Sequence, residues 1–112
     1  STAAGSHEWA CFQSQQAGEK ALKALWLAGG HDPWGHSALR LIDDYPESAV
    51  RERLLRLLEP ARLLDKLYIP TRYPNGLPDL TPGEVYGASD ALSAIAAART
   101  ILSEASDIVG PA

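Results

Sequence analysis

Arg72 and Tyr73 stand between Pro70 and Pro74, in a stretch that also carries Pro78 and Pro82. A guanidinium presents a planar fork of donors that matches two phosphate oxygens. A phenol ring beside it offers a face for stacking, so the pair is a candidate phosphate-binding Arg with a stacking Tyr. The structural alternative pairs Arg72 with Asp65 or with a helix C-terminus and uses Tyr73 to plug the core. Lys66, next to Asp65, would add positive charge to a cleft there, although a lysine on a helix is more often simply solvated. His36 is a candidate for a base contact or a proton donor. The commoner role at such a position is a cap or a hydrogen-bonded packing histidine. Gln15 and Gln16 lie on or near an apolar seam, where buried amides must find partners, and the expected role is interhelical hydrogen bonding. His7, His31 and His36 are scattered without acidic or cysteine partners at ligand spacing, so no metal site is expected. There is no glycine-rich phosphate loop, so any phosphate-bearing ligand would have to be held by side chains and helix ends in a groove.

The elements that would position these groups are helical. Glu8 to Ala28 reads as one helix after a flexible tail over residues 1–7. Ala10, Ser14, Ala17, Ala21, Ala24 and Ala28 form a seam of small side chains. Cys11, Gln15, Gly18, Leu22 and Leu25 form its neighbour, and Glu19, Lys20 and Lys23 lie off this face. Gly29-Gly30 ends the helix. A short helix spans Ser37 to Asp44 with Leu39 and Ile42 inward, and Tyr45-Pro46 breaks it. Ser48 is expected to cap the next helix, where Val50, Leu54, Leu57, Ala61, Leu64 and Tyr68 recur at helical spacing. Pro60 should kink that run or split it after Leu58, because it lacks an N–H and clashes with the preceding turn. Residues 70–85 read as a long loop. The last helix runs from about Ala88 to Val109, with Asp90 in its first turn and Ala91, Ile95, Ala98, Leu102, Ala105 and Val109 as its buried stripe. Trp9, Trp26 and Trp34 read as core and edge packing, and Arg51, Glu52, Arg53 and Arg56 as a solvated face. The architecture expected is all-α: a four- to five-helix up-and-down bundle over residues 8–109, whose alanine seams suit tight helix pairing and a face completed by a second copy of the chain.

Composition agrees with a single domain. The chain has 112 residues, enough to bury one core without metal or disulfide help. Its one cysteine, Cys11, excludes an intrachain disulfide and reads as a reduced core thiol in a cytoplasmic protein. The formal charge of −4 argues against indiscriminate binding to long nucleic acid, without excluding a local basic pocket. No apolar run reaches the ~20 residues that span a bilayer, so no membrane association is expected.

Three stretches, in order, carry a resemblance. Trp9 to Leu25 contains Gln15-Gln16 followed by Glu19-Lys20-Ala21-Leu22-Lys23; Trp34-Gly35-His36-Ser37 enters the short helix; Leu64 to Pro74 reads LDKLYIPTRYP. Together they resemble the HEPN family (higher eukaryotes and prokaryotes nucleotide-binding), including prokaryotic members and the HEPN domain of sacsin. The resemblance implies a helical bundle that forms a homodimer, in many members beside a minimal nucleotidyltransferase partner, either as a nucleotide-binding module or as a metal-independent RNase toxin of a toxin-antitoxin pair. The RNase members carry Arg followed by His after four to six intervening residues. Here Leu77 falls where that His would be needed, and no histidine follows His36. Leucine exchanges no proton beside the scissile phosphate. The expectation is therefore a non-catalytic nucleotide-binding homodimer with Arg72, Tyr73, Lys66 and His36 at its site, ATP or GTP as ligand and no other cofactor. The alternatives are an RNase acting on RNA through Arg72 with His36, and a structural adaptor docking a partner protein.

Overall fold

The computed structural model describes residues 3–72 and 85–111, with side chains over 6–68 and 85–111. Among the described residues every regular element is helical: α1 (Ala3–Ala28), α2 (Ala38–Asp43), α3 (Ser48–Leu54), a 3-10 turn (Leu55–Leu57), α4 (Leu58–Arg72) and α5 (Ala88–Val109). The all-α expectation holds. Helix α1 starts at Ala3 rather than Glu8, because the alanines ahead of His7 favour helix and extend it.

Helix α1 is the spine, packed along α5 and against α4. Its buried face is the second of the two seams: Cys11, Leu22 and Leu25 are core residues and Gln15 is 1% exposed, whereas Ala24 and Ala28 face solvent. Glu19, expected off the face, is 5% exposed. Gly18 lets α1 approach its neighbours closely; a Cβ there would lie 2.5 Å from Leu64 Cδ1 and 3.6 Å from Ile101 Cδ1. On α5 the buried arc is Ala91, Ala94, Ala97, Ala98, Ile101 and Ala105. Leu102 and Val109, expected inside, are exposed at 45% and 51%. Alanines and Ile101 fill the tight α1–α5 seam, and Leu92, Leu102 and Val109 turn outward.

Helix α1 ends as its glycines predict. His31 N–H donates to Trp26 O at 2.9 Å and Gly30 N–H to Leu27 O at 3.0 Å, with Gly30 at φ 82°, the left-handed residue of a Schellman cap. Pro60 splits the next helix, but before Leu58 rather than after it. Lacking an N–H, it cannot bond the Arg56 carbonyl, and the chain tightens into the 3-10 turn over that residue before α4 begins. The cap of α3 is Glu47 rather than Ser48, without a side-chain bond. Helix α4 continues past Tyr68 to Arg72, taking Pro70 into the segment expected as loop. Asp90 Oδ2 accepts the Gly87 N–H at 2.9 Å at the start of α5.

The Cys11 thiol is fully buried, and burial followed by the charge of Asp90 raises its pKa to about 11. It is an inert core group at neutral pH. No described helix is long and apolar enough to cross a membrane.

Candidate functional site

The loop between α1 and α2 is held at three points. Trp26, buried on α1, donates its indole N–H to Leu41 O at 2.9 Å and meets Tyr45 edge-on at 5.6 Å. Asp65, one turn before Tyr68 on α4, accepts from Ser37 Oγ at 2.7 Å, Ala38 N–H at 2.7 Å and Leu39 N–H at 3.1 Å. Ser37 in turn accepts the Arg40 N–H at 3.1 Å. The first amides of α2 are therefore satisfied both by their own N-cap serine and by a carboxylate from another helix. The third point is His36, whose Nδ1 lies 3.2 Å from Glu19 Oε2 and whose ring stacks on Tyr68 with centroids 5.7 Å apart and planes 12° from parallel.

Glu19 is the hub beneath this loop. Lys23 Nζ lies 2.9 Å from its Oε2, and Gln15 Nε2 donates to its Oε1 at 3.3 Å. Gln16 donates to Gln15 Oε1 at 2.5 Å. The two glutamines thus work within α1, orienting a carboxylate, and not between helices as expected; the four-residue spacing of Gln15 from Glu19 favours that local partner. Burial pushes the Glu19 pKa up, but the hydrogen bonds from Lys23, Gln15 and His36 and the Lys23 charge outweigh it, so the net shift is downward. A carboxylate whose folded pKa lies below its unfolded value, about 4.3, contributes stability that is fully present above that value and is lost as pH falls through the folded pKa. Glu19→Gln should therefore flatten the fall in Tm between about pH 5 and pH 3 relative to wild type; an unchanged slope would show that other carboxylates control acid unfolding.

Two hollows open on either side of His36 and Ser37. One, of about 350 Å³, is lined by Trp26, Trp34, Arg40, Leu41 and Asp44 together with Gly35, His36 and Ser37. The other, of about 330 Å³, is lined by His36, Ser37, Asp65 and Tyr68. Trp34 is 76% exposed, so it is not the packing residue expected from sequence. Trp34 and Arg40 line the same hollow. His36 lies at this site. Lys66 is exposed on α4. Arg72 is the last residue of α4, at a register position one turn beyond Tyr68. Its side chain, together with Tyr73 and Leu77, lies outside the described residues. Asp65, considered as an orienter of Arg72, spends its oxygens on α2. Sequence reading misses Glu19, Arg40 and Tyr68. The spacing of Gln15 and Lys23 around Glu19 is the available signal for the first; Arg40 carries none. Among the described residues no cluster of His, Cys, Asp and Glu is arranged to hold a metal ion.

These features define an all-helical domain with a histidine-bearing loop clamped between its first and fourth helices. The chain belongs to the HEPN domain family, whose model matches residues 1–108. It is similar to TT1696 from Thermus thermophilus, a crystal structure with 46% sequence identity and a TM-score of 0.78, covering 88% of this chain and 76% of that one. No curated protein matches.

Proposed function

We propose that this HEPN domain is a non-catalytic nucleotide-binding module that acts as a homodimer, with a minimal nucleotidyltransferase as its partner. The observation that carries the reading is the hollow lined by the exposed Trp34 together with Arg40 and His36. An exposed indole provides a stacking face for a base, and a guanidinium provides a fork for phosphate oxygens. Asp44, in the same hollow, is an acceptor for ribose hydroxyls or an exocyclic amine. Arg72, Tyr73 and Lys66 complete the proposal as a source of further phosphate contacts at the end of α4. The homodimer is supported by Leu92, Leu102 and Val109, which α5 turns outward at 69%, 45% and 51% exposure. Ribonuclease chemistry is not part of the reading, because Leu77 has no proton to exchange.

Calorimetric titration with ATP and GTP, with dimer state followed by light scattering, tests it. Wild type should bind one of them saturably. Trp34→Ala should weaken binding about tenfold or more, as expected for loss of a stacked base, and Arg40→Ala and Arg72→Ala should each weaken it with helicity intact. Absence of binding by wild type would leave an adaptor for a partner protein as the function.

A further inference from the structure

His36 has two ring nitrogens, and among the described residues the fold uses only one of them. Nδ1 lies 3.2 Å from Glu19 Oε2. Glu19 is 5% exposed, and despite that burial the bonds from Lys23, Gln15 and His36 keep it ionised. An ionised carboxylate has no proton to give, so Nδ1 carries the hydrogen and donates it. In a neutral imidazole the other nitrogen, Nε2, is then a bare acceptor. A free histidine side chain favours the opposite form, with its hydrogen on Nε2, so the contact with Glu19 reverses the choice. Lys23 Nζ at 2.9 Å from Oε2 and Gln15 Nε2 at 3.3 Å from Oε1 hold the carboxylate in position for this.

Covalent geometry then fixes where the acceptor lies. Nε2 sits across the ring from Nδ1, on the edge turned away from Glu19. One face of the ring is stacked on Tyr68 with the planes 12° apart, which keeps the ring from turning over. The side chain is still 59% exposed, borders both hollows, and has no partner at Nε2 among the described residues. An oriented acceptor at the edge of a hollow selects a ligand that brings a donor to it. A nucleotide has two kinds, the N–H groups of its base and the O–H groups of its ribose. We infer that Glu19 is a positioning residue of the nucleotide site, holding His36 in its Nδ1–H form so that Nε2 accepts a hydrogen bond from an N–H or O–H of the bound nucleotide. This rests on the nucleotide-binding reading above. It also excludes His36 as a phosphate contact at neutral pH, since a bare ring nitrogen repels phosphate oxygens.

Two substitutions separate the two nitrogens. An asparagine amide reaches as far as Nδ1, and a glutamine amide reaches as far as Nε2. His36→Asn should therefore keep the bond to Glu19 and lose the nucleotide contact, binding ATP or GTP about tenfold more weakly in calorimetric titration, the scale of one hydrogen bond. His36→Gln should lose the bond to Glu19 and melt at a lower temperature than His36→Asn, yet bind within about threefold of wild type. A histidine with a structural role alone gives the opposite order, with His36→Asn tolerated in both measurements. The dideoxy forms of ATP and GTP, whose sugars carry no hydroxyl, identify the donor. It is a ribose O–H if they bind wild type as weakly as the parent nucleotides bind His36→Asn, and a base N–H if they bind as tightly as the parents. Nitrogen NMR of the free chain at about pH 8, where imidazole is neutral, reads the tautomer directly. It should show the hydrogen on Nδ1 in wild type and a shift toward Nε2–H in Glu19→Gln, with circular dichroism establishing that each variant is folded. Nε2–H in wild type overturns the assignment, as does nucleotide binding that His36→Asn leaves unchanged. Failure of wild type to bind either nucleotide overturns the underlying reading as well, and the spectrum distinguishes the two failures.

Discussion

Asp65→Ala should lower stability by about 3 kcal/mol, from the loss of charge-assisted bonds worth about 1.5–3 kcal/mol each, offset by water reaching part of the opened site. The carboxylate serves three donors, and two of them are backbone amides at the start of a helix. Nothing else described supplies those amides. Asp65→Asn, which keeps an acceptor oxygen and loses the charge, should fall between alanine and wild type. Urea unfolding measures the loss as a shift in midpoint. Hydrogen exchange locates it, because the amides of Ala38 and Leu39 should exchange much faster in Asp65→Ala while those of α5 keep their protection in proportion to global stability. Uniform loss of protection, without a local excess at α2, would mean that the cap is not what holds this helix.

Gly18→Leu should cost more than about 2 kcal/mol even after the roughly 1 kcal/mol that replacing a mid-helix glycine returns. The space at Gly18 is already filled by Leu64, which has no exposed surface, with Ile101 behind it. A leucine side chain can enter only if α1 moves away from α4 and α5 or both neighbours leave their rotamers. A Tm decrease of about 10 °C is the expected size for a domain of this length. Gly18→Ala should lose much less, since Leu64 meets the added carbon with a movable methyl. A leucine variant as stable as wild type would show that the crossing tolerates separation, and the close approach of the three helices would then have no energetic weight.

These two residues show what the sequence discloses and what it hides. Helical periodicity locates every major helix, and Ala88 to Val109 is bounded as observed, because glycine and proline punctuation is local chemistry. The rotation of α5 is not legible. Its apolar residues satisfy two stripes about equally well, and only contact with α1 decides that Ile101 turns in and Leu102 out. Asp65 reads as an arginine partner because sequence shows neighbours along the chain, and the amides it caps are 26 and 27 residues away. Glu19 reads as a surface charge for the same reason: its burial depends on His36 arriving from beyond the helix end. His36 itself is identified by resemblance, and its stacking on Tyr68 is the detail that resemblance lacks.

Helix α2 has six residues, well short of the ~12–15 at which an isolated helix becomes even marginal in water. It therefore exists by courtesy of its surroundings, through Asp65 from α4 and Trp26 from α1. The wall that separates the two hollows at His36 consequently depends on those two tertiary contacts rather than on intrinsic helix stability. A population in which α1, α4 and α5 remain packed while α2 has melted would lose almost none of its helical circular dichroism, yet the nucleotide site proposed between Trp34 and Arg40 would be gone. Any molecule gripped there would repay its own binding by freezing that wall in place, so occupancy and local order would rise together, and loss of the ligand would register first as exchange at Ala38 and Leu39.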